Sequence, residues 1–270
     1  MFMQKKLFFF DVDGTLIDEG TKIFPQSAVN AIRALRAAGH LVFINSGRTL
    51  CLLEYEMETF GISCAACGCG TQIIVNGNTL MEQRIAHRRG LEIRQLIRQL
   101  QLDAVLEAQE AIYFSDRPFK NPELMEGLLD YISCYAETEV NALEDNSYDF
   151  DKFCIQTSPL FPERKLVAKL IAEASDFECI DRGRGFYEFV PVGCSKGSAV
   201  NFVRNHYGIA PEDCYVFGDS ANDLTMFTSE AGNRIAMAVH DTVLEPYATM
   251  ITDKVLDDGI AKALHALRVL

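Results

Sequence analysis

Positive charge is scarce in this chain of 270 residues, which carries 25 Lys and Arg against 38 Asp and Glu and has a formal net charge of −13. Nucleic acids and acidic lipid surfaces are bound by clustered Lys and Arg, so this deficit argues against both as partners. Long apolar runs are also missing, since none approaches the roughly 18 residues that span a bilayer. The run that begins at Leu7 stops at Asp11, too short for a signal peptide, and we expect a cytoplasmic protein.

Complete sets of metal-binding cysteine and histidine are missing too. The chain has nine Cys, of which Cys64, Cys67 and Cys69 form a C-x2-C-x-C cluster. A zinc site needs four ligands, yet no second CxxC and no paired His stands at a suitable spacing. The odd count and the length favour reduced thiols. We interpret the cluster as small residues at a strand end, with metal or redox chemistry as the alternative.

The chain begins with alternating strands and helices. Residues 7–10 predict a buried strand, and a helix is predicted to begin near Pro25. The run "HLVFIN" predicts a second strand, and residues 49–60 predict a second helix. This order implies a parallel sheet with helices on its faces. A two-residue hairpin turn is predicted at Asn76-Gly77.

An insertion interrupts this order. Residues 84–184 hold helical and strand segments typical of a separate α+β unit, and the alternation resumes from residue 185. We therefore predict a discontinuous core of residues 1–83 and 185–270, into which residues 84–184 are inserted as a cap. Because the two halves of a split core must be neighbours, the insert must leave and return at adjacent points.

Polar residues follow four predicted strand ends, the positions at which ligands bind in open parallel sheets. They are Asp11-Val12-Asp13-Gly14-Thr15, Ser46-Gly47-Arg48, Cys194-Ser195-Lys196-Gly197 and Gly218-Asp219-Ser220-Ala221-Asn222-Asp223. A nucleophile candidate, a hydroxyl, an amine and a carboxylate pair are thus far apart in sequence and could converge in space.

Asp11 and Asp13 are two residues apart and share one face of an extended strand. Like charges that close cannot both ionise at low cost unless a cation lies between them or one carries a proton. A cation such as Mg²⁺ accepts carboxylate oxygens and bridges them to phosphate. A proton on Asp13 would make it a general acid beside an anionic nucleophile at Asp11. The alternative is a solvated hairpin at Asp13-Gly14, which the helix-like pattern of the next apolar run disfavours.

Asp219 and Asp223 repeat this arrangement at a later strand end. Their spacing places one above the other if a helix begins there. Helix N-capping is the alternative, but it explains one carboxylate and leaves Asn222 and the other unexplained, so we favour metal binding.

Lys196 and Ser46 are candidate phosphate contacts. Lys196 opens a predicted helix, where a bound anion would reverse the unfavourable interaction of its charge with the helix dipole. Ser46, with the N–H groups of Gly47 and Arg48, offers a similar cradle. By itself, Ser-Gly-Arg is more often a plain loop, and Arg48 is either a substrate contact or a solvated charge.

These residues, in this order, resemble the four motifs of the haloacid dehalogenase-like superfamily of phosphohydrolases. "DVDGTL" resembles motif one, Ser46 motif two, Lys196 motif three and "GDSANDLTMF" motif four. The insert between motifs two and three resembles the C2-type cap, and the pattern as a whole resembles the Cof-type class IIB branch. The resemblance implies an α/β fold: a Rossmann-like parallel-sheet core with an inserted α+β C2-type (IIB) cap that selects the substrate.

The resemblance also implies an activity. It is that of a Mg²⁺-dependent phosphatase acting on a small phosphate monoester, with sugar phosphates the commonest class, through an aspartyl-phosphate intermediate. The catalytic positions that it implies are Asp11 as nucleophile, Asp13 as general acid and base, Ser46 and Lys196. The implied metal ligands are Asp11, Asp13 and Asp219. The implied neighbouring or phosphate-binding positions are Gly47, Arg48, Asn222 and Asp223.

Two other functions stay open, and two segments differ from the pattern of the branch. A phosphomutase of the same fold and a non-catalytic protein that binds a phosphorylated ligand both stay open. Cys67-Gly68 stands where the branch commonly has Asn-Gly, and Met237-Ala238-Val239-His240 stands where it has Met-Gly-Asn-Ala. His240 is either a helix-start residue or a catalytic one.

Overall fold

The computed structural model describes residues 4–158 and 163–270. Its strands, in chain order, are β1 (Leu7–Phe10), β2 (Leu41–Asn45), β3 (Cys64–Cys67), β4 (Gln72–Val75), β5 (Asn78–Glu82), β6 (Asp103–Glu107), β7 (Ala111–Phe114), β8 (Glu137–Glu139), β9 (Lys152–Gln156), β10 (Phe177–Asp181), β11 (Phe186–Pro191), β12 (Cys214–Gly218), β13 (Asn233–Ala236) and β14 (Met250–Ile251). Its α-helices are α1 (Gln26–Ala37), α2 (Glu54–Phe60), α3 (His87–Leu100), α4 (Pro122–Ile132), α5 (Arg164–Glu173), α6 (Lys196–Tyr207), α7 (Leu224–Phe227) and α8 (Gly259–Ala266). Over residues 4–158 and 163–270, no helix has both the length and the apolar character needed to cross a membrane.

The chain divides into two compact units. Unit 1 comprises Met1–Gly47, Tyr55–Met81 and Ser195–Leu270, and unit 2 comprises Arg48–Glu54 and Glu82–Cys194.

Unit 1 is built on an eight-stranded sheet with the order β14-β13-β12-β1-β2-β3-β4-β5. The strands from β14 to β3 pair in parallel, and β4 runs antiparallel to β3. The predicted α/β fold with a parallel sheet is therefore confirmed. The predicted hairpin turn is also confirmed, because Asn76 and Gly77 have φ values of 51° and 77° between β4 and β5.

Strand β1 lies at the centre of this sheet, between β12 and β2. Its four side chains are fully buried, as the apolar run of the sequence predicts. The Phe8 ring stacks on Tyr215 with centroids 4.7 Å apart, and the Phe10 ring stacks on Phe217 at 4.6 Å. These aromatic pairs fix the register of β1 against β12, so the residues that follow the two strands leave the sheet side by side.

The single helix predicted over residues 49–60 is wrong. A 3-10 turn at Leu50–Leu52 is followed by α2, and Leu53 between them has φ −118°. The physical reason is that Arg48–Glu54 belongs to unit 2, where the Cys51 N–H donates to the Gln109 carbonyl oxygen at 3.0 Å. The 3-10 turn therefore bonds within unit 2, and the α-helix begins only at Glu54.

Unit 2 contains a six-stranded sheet with the order β10-β11-β9-β6-β7-β8, which is antiparallel except for the parallel pair β7 and β8. Helices α3 and α5 contribute Ile97 and Leu170 to the apolar cluster on one face, and α4 contributes Met125 to the cluster on the other. The inserted unit is thus α+β, as predicted.

Residues 185–194, which the sequence pattern assigned to the core, lie in unit 2. Strand β11 pairs antiparallel with β10 on one side and β9 on the other. Its residues are mostly apolar, as in a parallel core strand, although Glu188 lies among them. The pairing partner β9, which distinguishes the two cases, is remote in sequence.

Candidate active site

Asp11 lies immediately after β1 and is 4% exposed. Its N–H donates to the Phe217 carbonyl oxygen at 3.0 Å, which extends the β1 and β12 ladder by one bond. Its carboxylate therefore lies at the carboxyl edge of the sheet, where the sequence places it.

Lys196 is the first residue of α6, and it is 1% exposed. The helix start is fixed by a reciprocal capping box, in which the side chains of Ser195 and Ser198 each accept the other's N–H at 2.9 Å. The Lys196 Nζ lies 2.5 Å from Asp11 Oδ1 and 2.6 Å from Asp223 Oδ1. Burial lowers the pKa of this ammonium, but the two carboxylates outweigh that effect and raise it above the ordinary lysine value.

The segment after β12 turns sharply before α7 begins. It forms a 3-10 turn at Ala221–Asp223, not the first turn of a long helix. One oxygen of Asp223 accepts the N–H groups of Asp219 at 2.9 Å and Ser220 at 3.1 Å, while the other pairs with Lys196. Asp223 therefore both caps the turn and forms an ion pair with Lys196.

The Asp219 carboxylate lies beside those of Asp11 and Asp223. Its Oδ1 accepts a hydrogen bond from the Thr15 hydroxyl at 2.8 Å. Gly14 lies against it at φ +84°, and a methyl group at Gly14 would overlap the Asp219 carboxylate. The Gly-Thr pair of the first motif therefore packs directly on the carboxylate of the fourth.

The carboxylates of Asp11, Asp219 and Asp223 each offer an oxygen within 4.8 Å of the other two. Burial, reinforced by the neighbouring carboxylates, raises the pKa of Asp11 to about 7 and that of Asp219 to about 8. One ammonium cannot neutralise three carboxylates, so the trio keeps an excess of negative charge. Clustered carboxylate oxygens are the ligands that a hard divalent cation such as Mg²⁺ prefers, so these residues fit that ion.

Asp13 lies in the tight loop that follows Asp11. The Val12 carbonyl oxygen accepts the N–H groups of Leu16 and Ile17 at 2.9 Å, and the Gly14 N–H donates to the Ile17 carbonyl at 2.7 Å. The loop contains one isolated bridge, between Asp13 and Ile17, and is not the solvated hairpin considered as an alternative. The Asp13 side chain is 33% exposed and lies 3.4 Å from the Lys22 Nζ.

Ser46 is buried directly after β2. Its N–H donates to the Ala66 carbonyl at 3.0 Å, and its carbonyl accepts the Cys69 N–H at 3.0 Å. The preceding Asn45 donates its side-chain amide to the Lys196 carbonyl at 2.9 Å, which ties the end of β2 to the start of α6. Ser46-Gly47 and Lys196 are thus carried by segments that are bonded to each other.

The remaining predicted positions separate into two groups. Asn222 joins the trio, since its Oδ1 lies 3.3 Å from the Lys196 Nζ and accepts the Ser220 hydroxyl at 2.7 Å. Arg48 belongs to unit 2, and its Nη1 lies 3.4 Å from the Leu52 carbonyl oxygen. The structure therefore assigns Asn222, and not Arg48, to the unit that holds the trio.

Two contributors were missed at the sequence level, Thr15 and Asn45. Thr15 stands inside the first motif, but its hydroxyl partner lies 204 positions away. Asn45 had a readable signal, because it is a polar residue at the end of an otherwise apolar strand, "LVFIN". A buried amide in such a place requires a hydrogen-bond partner.

The two departures from the branch pattern lie in unit 1. Cys64 and Cys67 are buried at the ends of β3, and Cys69 follows in a turn with φ 57°. His240 places its Nδ1 2.6 Å from the Met237 carbonyl oxygen, just before the 3-10 turn Thr242–Leu244.

Unit 2 contains a cavity of its own, with a volume of about 150 Å³. Val105, Phe186, Tyr131 and Tyr135 line it together with the charged Arg48 and Glu107. Glu107 is held by Lys152 at 3.1 Å and by the Cys154 thiol at 3.2 Å. Small-molecule sites combine aromatic rings with a few fixed polar groups in the same way, but their volume is usually larger, roughly 300–1,000 Å³.

Known proteins match this chain over nearly its whole length. The model of the haloacid dehalogenase-like hydrolase family matches residues 8–264. The phosphoglycolate phosphatase of Archaeoglobus fulgidus is 28% identical over 262 residues, covering 96% of this chain and 96% of the relative. The 5-amino-6-(5-phospho-D-ribitylamino)uracil phosphatase YwtE of Bacillus subtilis is 26% identical over 289 residues, covering 95% and 96%.

A solved structure supports the fold. The HAD subclass IIB sugar phosphatase BT4131 superposes with a TM-score of 0.79 at 19% identity, covering 98% of this chain and 100% of that one. At this identity the likeness concerns the fold alone, and it agrees with a parallel-sheet core that carries an inserted α+β unit.

Proposed function

Because the chain belongs to the haloacid dehalogenase-like hydrolase family, we propose that it is a Mg²⁺-dependent phosphatase that acts on a small phosphate monoester. The observation that carries the proposal is the buried Lys196 ammonium, held between Asp11 and Asp223 beside a third carboxylate, Asp219. The relatives named above act on chemically different phosphate monoesters. Their common chemistry is the phosphate ester, and we propose sugar phosphates as the first class to test.

Asp11 is the proposed nucleophile. One carboxylate oxygen attacks phosphorus in line, an O–P bond forms at Asp11, and the ester P–O bond breaks to release the alcohol. The Lys196 ammonium positions Asp11 and favours its ionised form, and it can stabilise the negative charge on the phosphoryl oxygens together with the Ser46 hydroxyl. Water then attacks phosphorus, which regenerates Asp11 and releases inorganic phosphate.

Asp13 is the proposed proton carrier. It would give a proton to the leaving alcohol oxygen and take one back from the attacking water, so that protons balance over the cycle. The proposed Mg²⁺ ligands are the carboxylates of Asp11 and Asp219 and the Asp13 carbonyl oxygen, with Asp223 and Asn222 close by. Mg²⁺ supplies positive charge that offsets the carboxylate trio and the phosphate.

Unit 2 is proposed to select the substrate. Its cavity combines aromatic side chains with Arg48 and Glu107, side chains of the kind that recognise an organic group. This assignment follows the implied cap role of the insert, residues 84–184, together with the segment Arg48–Glu54 that the structure adds to the same unit.

The proposal is tested by measuring phosphate release from a panel of phosphate monoesters, with Mg²⁺ and with EDTA. Asp11→Asn keeps the shape of the side chain and removes the nucleophile, and the exposed Glu58→Gln is a control that changes net charge by the same amount. We expect turnover by the wild type and the control in Mg²⁺, none in EDTA, and none by Asp11→Asn.

Two further measurements separate the alternatives. Borohydride reduction of a quenched reaction converts an acyl phosphate at Asp11 to homoserine, which peptide mass spectrometry detects. Steady phosphate release without a bisphosphate activator distinguishes a hydrolase from a phosphomutase. Turnover that persists in Asp11→Asn would overturn the proposed nucleophile, and a Mg²⁺-binding protein with no turnover on any ester would support a non-catalytic binding protein.

A further inference from the structure

Asp241 is hydrogen-bonded to the loop that carries Asp219. It follows the segment Met237–His240, and it lies outside the four motifs. Its N–H donates to the Asp219 carbonyl oxygen at 2.7 Å, and its side-chain Oδ2 accepts the Ala221 N–H at 2.7 Å. Asp241 is itself anchored, because its carbonyl oxygen accepts the Leu244 N–H at 3.0 Å at the start of a 3-10 turn.

Two carboxylates together fix the main chain of this loop. The N–H groups of Asp219 and Ser220 donate to Asp223, at 2.9 and 3.1 Å, and that of Ala221 donates to Asp241. Three consecutive peptide groups therefore have their N–H directions set by charged acceptors, which form stronger hydrogen bonds than neutral ones. The direction in which the Asp219 side chain leaves the backbone is fixed as a consequence.

We propose that Asp241 is a positioning residue for the proposed Mg²⁺ ligand Asp219, an inference that rests on the proposed function. Asp241 is exposed, and it is not among the three carboxylates whose oxygens lie within 4.8 Å of one another. It thus acts through the loop backbone and not as a ligand. The segment before Asp241, Met237–His240, differs from the pattern of the branch. Asp241 nevertheless forms hydrogen bonds to the Asp219 loop.

The test separates hydrogen bonding from charge. Asp241→Ala removes the acceptor and the charge, whereas Asp241→Asn keeps an oxygen acceptor for the Ala221 N–H and removes only the charge. Glu245→Ala is the matched control, since it removes an exposed carboxylate from the same segment and no bond to residues 219–221 is described for it. Mg²⁺ binding is measured by isothermal titration calorimetry on the full chain, and amide hydrogen exchange at Ala221 is measured in the metal-free protein.

We expect Asp241→Ala to weaken Mg²⁺ binding at least about 10-fold, the lower end of the usual effect of losing a residue that supports a metal ligand. Asp241→Asn should stay within about threefold of the wild type, and Glu245→Ala should be unchanged. Exchange at Ala221 should accelerate in Asp241→Ala and not in Asp241→Asn, with circular dichroism showing all three variants folded.

Three outcomes would overturn the inference. Unchanged Mg²⁺ affinity in Asp241→Ala overturns it while leaving the proposed function intact. An equal loss in Asp241→Asn and Asp241→Ala assigns the effect to charge and not to position. A wild type that binds no Mg²⁺ overturns the proposed function and this inference together, and turnover in the wild-type assay distinguishes that case from the first.

Discussion

Raising the pH from 6 to 8 should strengthen Mg²⁺ binding at the carboxylate trio by about 500-fold, because the ligands must lose protons before they bind. The pKa of Asp11 is raised to about 7 and that of Asp219 to about 8. Because the charge on Asp11 raises the pKa of Asp219, Asp11 loses its proton first, and both are ionised in about 0.1% of molecules at pH 6 and about 48% at pH 8. The ratio of these fractions gives the expected change in apparent affinity.

Calorimetry in two buffers of different protonation enthalpy tests this directly, since it yields both the affinity and the number of protons released. At pH 7 the same pKa values predict that binding releases about 1.4 protons. Asp219→Asn is the matched variant: it removes one titrating ligand and should leave a release of about 0.5 protons from Asp11. Its affinity should also depend less steeply on pH than that of the wild type.

The reasoning would be refuted by a wild-type affinity that changes less than about threefold between pH 6 and 8 with no proton release. That result would mean that both carboxylates are already ionised without the metal. Lys196 would then offset the cost of ionising both buried carboxylates. Its ammonium forms only two ion pairs, at 2.5 and 2.6 Å, in a site with three buried carboxylates, so we do not expect this.

Three further predictions concern the same site. Lys196→Met should lower the free energy of unfolding at pH 7.5 by about 3–5 kcal/mol, because Asp11 and Asp223 lose their shared cation; a loss below about 1 kcal/mol in urea unfolding would contradict this. Gly14→Ala should abolish Mg²⁺ binding, because the added methyl group overlaps the Asp219 carboxylate; wild-type affinity by calorimetry would refute it. In EDTA, the pKa values of Asp11 and Asp219 are higher in the native state than in the unfolded state, so the native state binds more protons. The stability that these two carboxyl groups contribute is therefore lost as the pH rises from about 4 to about 8. Thermal unfolding should therefore show a decline that is smaller in Asp219→Asn, and an equal decline in both proteins would count against it.

The carboxyl-edge rule is what made the site readable in the sequence. Asp11, Ser46 and Asp219 each directly follow a strand of the parallel sheet, and parallel strands bring such positions to one edge of the sheet. Lys196 does not follow this rule, because the strand before it, β11, belongs to the antiparallel sheet of unit 2. The buried run before Asp11 could be recognised locally, because four consecutive apolar residues between polar flanks are typical of a central parallel strand. No long-range information was needed for these positions.

The predictions that were wrong concern segments whose bonding partners are remote in sequence. Strand β11 is apolar enough for a core strand, and only its antiparallel partners β9 and β10 assign it to unit 2. The helix expected over residues 49–60 has a suitable local pattern, but the Cys51 N–H bonds to Gln109 in unit 2. Asp241 belongs to no sequence motif. Its proposed role depends on a hydrogen bond to the backbone N–H of Ala221, about 20 positions upstream, which the local sequence does not reveal.

The burial of β1 explains why a short apolar strand runs into acidic residues. Phe8 and Phe10 stack on Tyr215 and Phe217, so the end of β1 cannot move toward water without separating these rings. Asp11 is therefore held where ionisation is costly, and Lys196 relieves only part of that cost. The remaining routes are a proton, which would quench the nucleophile, or a divalent cation, which would preserve it. On this argument the proposed metal dependence follows from the rigidity of the aromatic layer, and loosening that layer would reduce the need for the ion.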